Sequence, residues 1–173
     1  MVNNLGVTIS FRSGAVLGKR NLFSYNEIPY VVLAYDSRVD KFSKVTQLFP
    51  MLTPQGSTPE GLAFQAILGT IPSATPDMDS YFVNLSDGEP AFTMGYFGAV
   101  AHSHTKKQVN KIREAGIEVL SYFVEVQGAS DSRIDSNMQA FREMYGRDAQ
   151  LIDVNNITEI ARTMNKKFLV KDK

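Results

Sequence analysis

The chain has 173 residues, of which 43% are hydrophobic and 21% are charged, values typical of one globular domain with a sizeable core. Eighteen basic residues balance eighteen acidic ones, so the charge gives no reason to expect a nucleic acid or a membrane surface as a partner. The absence of cysteine excludes disulfides, thiolate metal sites and cysteine nucleophiles.

No apolar run in the sequence approaches the roughly 20 residues that a bilayer-spanning helix needs. The amino-terminal residues MVNNLGVTIS lack the charged-then-apolar order of a signal peptide. We therefore expect a cytoplasmic protein.

Apolar patterning predicts the strands of the fold. The first one, Leu5–Arg12, alternates apolar and polar residues, so one of its faces should be buried, and Ser13-Gly14 should then open a loop that lasts to Asn26. In chain order the predicted strands are Leu5–Arg12, Ile28–Asp36, Tyr81–Leu85, Ile117–Val126 and Gln150–Val154.

Capping signatures and apolar stripes at helical spacing predict the helices. Ser57-x-x-Glu60 indicates a helix that ends near Gly69, and Thr105-x-x-Gln108 indicates one that follows an irregular segment and ends at Gly116. The other predicted helices are a short turn at Val45–Phe49, a helix capped by Asp135 or Ser136 and ended by Gly146, and a last helix capped by Asn155 or Asn156.

The alternation of helices and strands predicts a single α/β domain over residues 1–173. Strands that are joined by helices favour a mostly parallel, Rossmann-like central sheet with helices on both faces. Ligands bind such sheets at the carboxyl ends of the strands, where the sequence places Ser86-Asp87-Gly88.

An acidic loop and a hydroxyl loop together suggest a metal site. Asp87 would supply a carboxylate, while Ser57 and Thr58 would supply hydroxyls at the start of a helix. Each residue also has a structural interpretation, because Ser57 and Thr58 can cap the helix and Asp87 can stabilise a turn.

Four motifs in a fixed order resemble those of the von Willebrand factor A (vWA) domain family. They are AYDSRV at Ala34–Val39, a G-x-T loop at Gly56–Thr58, S-D-G at Ser86–Gly88 and a G-I-x-V strand at Gly116–Val119. Within that family, the chain is similar to the vWA subunits of cobaltochelatase CobT type, including phage-encoded relatives. The residues that carry this likeness are DGEP, the spaced residues Tyr96, Gly98 and His104-Thr105, and the later SYF.

The resemblance implies a Mg²⁺ site of the metal-ion-dependent adhesion (MIDAS) type. Three loops build that site in the family: D-x-S-x-S, a threonine and an aspartate. Thr58 matches the threonine, Asp87 matches the aspartate, and Ser57 is a weaker candidate. No aspartate of this chain has a serine two places on, so the first loop is absent and we expect Mg²⁺ binding to be weak or absent.

The same resemblance implies that the first strand of the family's sheet is missing, so the domain would be incomplete at its amino terminus. That strand would lie between Leu5–Arg12 and Tyr81–Leu85. An upstream segment or another chain could supply it, the sheet could close without it, or a partner could donate a strand. We favour the first explanation.

Function is therefore expected to be that of a non-catalytic protein-interaction module. The chelatase-like subgroup implies a partner ATPase of the AAA+ class. The alternatives are a small α/β hydrolase or nucleotide-binding protein that uses Asp87, and a vestigial structural fragment.

Other chemical sites find less support in the sequence. His102-Ser103-His104 lacks the third ligand that zinc needs, so both histidines should make ordinary hydrogen bonds at a helix entry. No G-x-S-x-G elbow accompanies Ser86, and Gly14–Arg20 does not match a phosphate loop.

Overall fold

A computed structural model of the chain describes residues 8–16, 27–38, 40–48, 58–86, 88–92, 95–124, 131–147, 149–152 and 157–169. These residues form a mixed α/β protein with a three-stranded parallel sheet flanked by helices. Its elements are β1 (Thr8–Val16), β2 (Glu27–Asp36), α1 (Ser43–Leu48), α2 (Glu60–Ile67, continued by a 3₁₀ turn at Leu68–Thr70), β3 (Tyr81–Ser86), α3 (Gly98–Glu114), β4 (Glu118–Val124), α4 (Asp131–Tyr145), β5 (Gln150–Ile152) and α5 (Ile157–Leu169).

The chain divides into two compact units. The first unit comprises Met1–Ile71 and Pro90–Thr105, and the second comprises Pro72–Glu89 and Lys106–Lys173. The boundary falls within α3, which contributes a segment to each. The single domain over residues 1–173 stays a prediction.

The first unit contains an antiparallel pair of strands. β1 pairs with β2 from Thr8 opposite Asp36 to Val16 opposite Glu27, with an irregularity between Ile9 and Ser10. The predicted loop at Ser13-Gly14 is therefore wrong, because the ladder with the long strand β2 continues through these residues to Val16. Antiparallel pairing also means that the predicted mostly parallel arrangement does not extend to these two strands.

The second unit contains the parallel sheet, in the order β3-β4-β5. β4 is the central strand and is buried on both faces, as its apolar run predicts. On one face Leu120 and Tyr122 pack with Ile152 and with Met164 of α5. On the other face Phe123 contacts Phe141 of α4, with the ring centroids 5.5 Å apart. Helices on both faces of a parallel sheet are thus confirmed for these three strands.

Three predicted helix starts are wrong. α3 begins at Gly98 rather than Thr105, because no residue between Ala99 and His104 breaks the helix, and Thr105 is buried inside it. α4 begins at Asp131, one turn before the predicted cap at Asp135 or Ser136. α2 begins at Glu60 with Pro59 at the N-cap position, later than the capping signature predicts, and Ser57 itself lies outside the described residues.

The predicted helix ends are accurate where glycine sets them. Gly116 follows α3 with φ +77° and Gly146 follows α4 with φ +90°, both in the left-handed region that favours glycine. The amide of Gly146 donates to the carbonyl of Arg142 at 2.8 Å, and Arg113 donates through Nη2 to the carbonyl of Tyr145 at 2.6 Å. The carbonyls of Arg142 and Tyr145 in the last turn of α4 therefore have partners.

Candidate functional site

The candidate metal site falls partly outside the described residues. Ser57 and Asp87 are not among them, so Thr58 is the one predicted metal residue that the structure describes. β3 ends at Ser86, directly before Asp87 and at the carboxyl end of the strand, as predicted. The Ser86 side chain is buried, and its hydroxyl donates to the carbonyl of Gly88 at 3.3 Å.

Thr58 lies just before α2 and is fixed by its backbone. Its carbonyl accepts from the amide of Glu60 at 2.9 Å and from the amide of Ala91 at 3.1 Å. The N-cap position of α2 belongs to Pro59, so Thr58 is not the N-cap residue that the structural interpretation requires. The second bond ties the hydroxyl-bearing loop to a residue that follows Asp87 by four positions.

Within the described ranges, no three histidine, aspartate or glutamate side chains come together to hold a metal ion. No helix in those ranges is long and apolar enough to cross a membrane.

Asp36, at the end of β2, is held by an arginine. Arg38 donates to Oδ1 of Asp36 through Nε at 2.9 Å and to Oδ2 through Nη2 at 2.6 Å, and its backbone amide also donates to Oδ1 at 3.0 Å. The hydrogen bond and the charge of Asp36 raise the pKa of Arg38. Both oxygens of this buried carboxylate thus accept hydrogen bonds from Arg38. This arrangement suits a carboxylate that stabilises a turn better than one that binds a metal ion.

A polar network connects α2 to α3 within the first unit. The Tyr96 hydroxyl lies 3.0 Å from Nδ1 of His104, and Nε2 of His104 lies 3.1 Å from Oε1 of Gln65. Because Oε1 of Gln65 can only accept, Nε2 of His104 carries the proton, and Nδ1 accepts from Tyr96. The predicted hydrogen-bonding role is confirmed for His104, although it lies inside α3 and not at its entry.

The Tyr96 hydroxyl reaches this position because residue 61 is a glycine. A Cβ at Gly61 would lie 2.4 Å from Oη of Tyr96, 2.9 Å from the backbone nitrogen of Thr105 and 3.0 Å from Nδ1 of His104. Any side chain at this position would collide with the network. The glycine therefore permits the close approach of the two segments.

Burial raises the pKa of the Tyr96 phenol above its usual value. The nearby Thr105 side chain is the largest effect that lowers this pKa, the charge of Glu60 raises it further, and the backbone of Gly61 and Leu62 lowers it. Glu60 and Thr105 are fully buried beside this hydroxyl. Both ring nitrogens of His104 are engaged, so the network suits a structural clamp better than a proton-transfer or metal site.

Sequence reasoning missed this network. Its members come from segments up to 39 residues apart, and no local pattern links them. The one usable signal is the glycine in the first turn of a helix, because glycine there is unfavourable unless something packs closely against it.

The described residues define a mixed α/β protein with a three-stranded parallel sheet flanked by helices, and Asp87 follows the last residue of β3 in the sequence. Comparison with models of known protein families, with curated proteins and with solved structures found no match.

Proposed function

We propose that this chain is a vWA-type protein-interaction module with a partial MIDAS site, in which Thr58 and Asp87 face one Mg²⁺ ion. A carboxylate of a protein partner completes the coordination. In this proposal the chain works as a non-catalytic, chelatase-like subunit beside an ATPase of the AAA+ class.

The observation that carries the proposal is the 3.1 Å hydrogen bond between the Ala91 amide and the Thr58 carbonyl. Asp87 precedes Ala91 by four residues, so the chain between them spans at most roughly 14 Å. The threonine loop is thereby tied to the segment that carries the aspartate. Two loops of this kind are what a shared cation requires.

The strand arrangement adds support. The described strands form an antiparallel pair and a separate parallel sheet of three, rather than one sheet of five. The proposal expects the sheet of a vWA domain that lacks its first strand to be interrupted between the strands at Leu5–Arg12 and Tyr81–Leu85. In the proposal, an upstream segment or another chain supplies that strand together with the D-x-S-x-S loop.

The donor set fits Mg²⁺ in kind but not in number. A hydroxyl and a carboxylate are oxygen ligands, which Mg²⁺ prefers, yet they fill two of about six positions. Water and outside ligands must supply the remainder. Binding of Mg²⁺ by this chain alone should therefore be weak, and a test must be able to detect weak binding.

Paramagnetic broadening by Mn²⁺ meets that need, because Mn²⁺ accepts the same oxygen ligands and acts on NMR signals even when few molecules are occupied. We expect Mn²⁺ to broaden the amide signals of Thr58 and Gly88 first, and Mg²⁺ in excess to reverse the effect. Asp87→Asn should abolish this selectivity. Asp77→Asn, which alters an exposed loop aspartate, should preserve it.

Broadening that is unchanged in Asp87→Asn would refute the metal site. Broadening that follows Asp77 instead would mean that Mn²⁺ binds exposed carboxylates without specificity, and would refute it equally.

A further inference from the structure

An open groove lies between α4 and β5 in the second unit, with a volume of about 640 Å³. Leu151 of β5 is one of the residues that line it. Leu151 is the register partner of Phe123, so both side chains lie on the face of the sheet where Phe123 contacts Phe141 of α4. The helix covers the central strand on this face but leaves Leu151 41% exposed.

The strand beside this groove is at the edge of the sheet. Within the described ranges, β5 pairs with β4 and with no other strand. The outer side of an edge strand presents backbone N–H and C=O groups that can pair with a strand of another chain. The sequence of β5 is QLI, without the lysine or proline by which natural edge strands commonly discourage such pairing.

The groove also carries two opposite charges at helical spacing. Asp135 and Arg142 of α4 line it and are exposed, and Met138 lies between them in the same groove. Seven residues are about two helical turns, so the two charges lie on one side of α4, about 10.5 Å apart along its axis. A surface of this kind is complementary to a copy of itself that is rotated by half a turn.

We propose that this chain forms a symmetric dimer in which β5 pairs antiparallel with β5 of a second copy. The two parallel sheets then join into one sheet of six strands, which is an ordinary size. The two-fold axis brings the two Leu151 side chains together on the face that carries α4, where each covers the other. The two α4 helices run antiparallel on either side of the axis.

The charges fix how the two copies are aligned. An axis that passes midway between Asp135 and Arg142 places each carboxylate opposite Arg142 of the second copy. The two β4 strands are then three strand spacings apart, about 14 Å, so the helices above them bring long side chains within reach across the axis. The same alignment sets Glu143, which also lines the groove, opposite Ile134 and not opposite a carboxylate.

This interface goes beyond the proposed function, because it uses neither Thr58 nor Asp87. A dimer without a metal site, or a metal site without a dimer, would each be a clear result. The two proposals therefore stand or fail separately.

The test is sedimentation equilibrium of the full chain over a range of concentrations, in which we expect monomers and dimers. Asp135→Arg and Arg142→Asp each place like charges across the axis and should weaken dimerisation about tenfold or more. An equimolar mixture of the two variants should restore dimers, because every carboxylate again faces a guanidinium. Arg133→Asp, which alters an exposed arginine of α4 that does not line the groove, should leave dimerisation unchanged.

A second pair of variants separates the two edges of the parallel sheet. Leu151→Lys should give monomers, whereas Val83→Lys, at an exposed position of β3 on the other edge, should dimerise like the wild type. Circular dichroism of each variant verifies that it is folded. A wild-type chain that stays monomeric at every concentration, dimers that survive both charge reversals, or a mixture that remains monomeric would overturn the proposal. Dimers that are lost in Val83→Lys and kept in Leu151→Lys would overturn it as well.

Discussion

Substitution of Gly61 by alanine tests the polar network most sharply. The added Cβ would lie 2.4 Å from Oη of Tyr96 and 2.9 Å from the backbone nitrogen of Thr105. The tyrosine can swing away only by giving up its bond to His104, and the backbone of α3 can move only as a whole. Relief of the collision must therefore disturb the junction between α2 and α3.

The size of the effect follows from two opposing contributions. Overpacking of this kind costs about 3 kcal/mol at the upper end of the usual range. Replacement of glycine by alanine within a helix returns about 1 kcal/mol. The net loss is about 2 kcal/mol, which corresponds to a fall in Tm of about 4–8 °C for a chain of this length.

The assay is thermal and urea unfolding of Gly61→Ala beside Gly69→Ala. Gly69 has no atom within 4 Å of its would-be Cβ, so alanine there should leave Tm unchanged or raise it slightly. Equal stability of the two variants would refute the close-packing account. Loss of stability in Gly69→Ala alone would refute it too.

Three further predictions concern the same network and the helix ends. Because the pKa of Tyr96 is raised, the stability that its neutral form provides is present below about pH 10 and is lost as the pH rises through the raised value. Urea unfolding of Tyr96→Phe should therefore show a smaller loss of stability above pH 10 than the wild type, and an equal loss would contradict the prediction. Arg113→Met removes the 2.6 Å bond to the Tyr145 carbonyl and should lower Tm by about 2–4 °C; an unchanged Tm would mean that this bond contributes nothing. Gly116→Ala places a side chain on a backbone with φ +77° and should lower the free energy of unfolding, measured with urea, by about 1–2 kcal/mol. An unchanged free energy of unfolding would mean that the turn rearranges without strain.

The elements that the sequence predicts best are those where local preference and burial agree. Tyr81–Leu85 and Ile117–Val126 are apolar and rich in strand formers, and β3 and β4 occupy most of both ranges. Gly116 and Gly146 end their helices because the left-handed backbone they adopt is unfavourable for other residues.

The failures occur where a local capping signature competes with burial. Thr105-x-x-Gln108 has the pattern of a helix start, yet both residues are buried in the interior of α3. A short motif contains no information about what packs against it, so it cannot distinguish a cap from a buried polar pair. The residues next to Gly14 in the sequence likewise predict a loop, whereas Gly14 pairs with Pro29 in the ladder between β1 and β2.

The candidate metal residues could be named from sequence because they sit at motif positions, whereas the network could not. Gln65 and His104 are 39 residues apart, and their contact depends on how α2 and α3 pack.

The most direct test of the central claim is a crystal structure of the full chain grown with Mn²⁺, in which anomalous scattering locates the ion. The proposal predicts an anomalous peak that Thr58 and Asp87 both contact, either directly or through one water molecule. If these two side chains instead lie on opposite sides of the sheet with no shared ion, the vWA-type assignment is contradicted, and the proposed partner loses its basis.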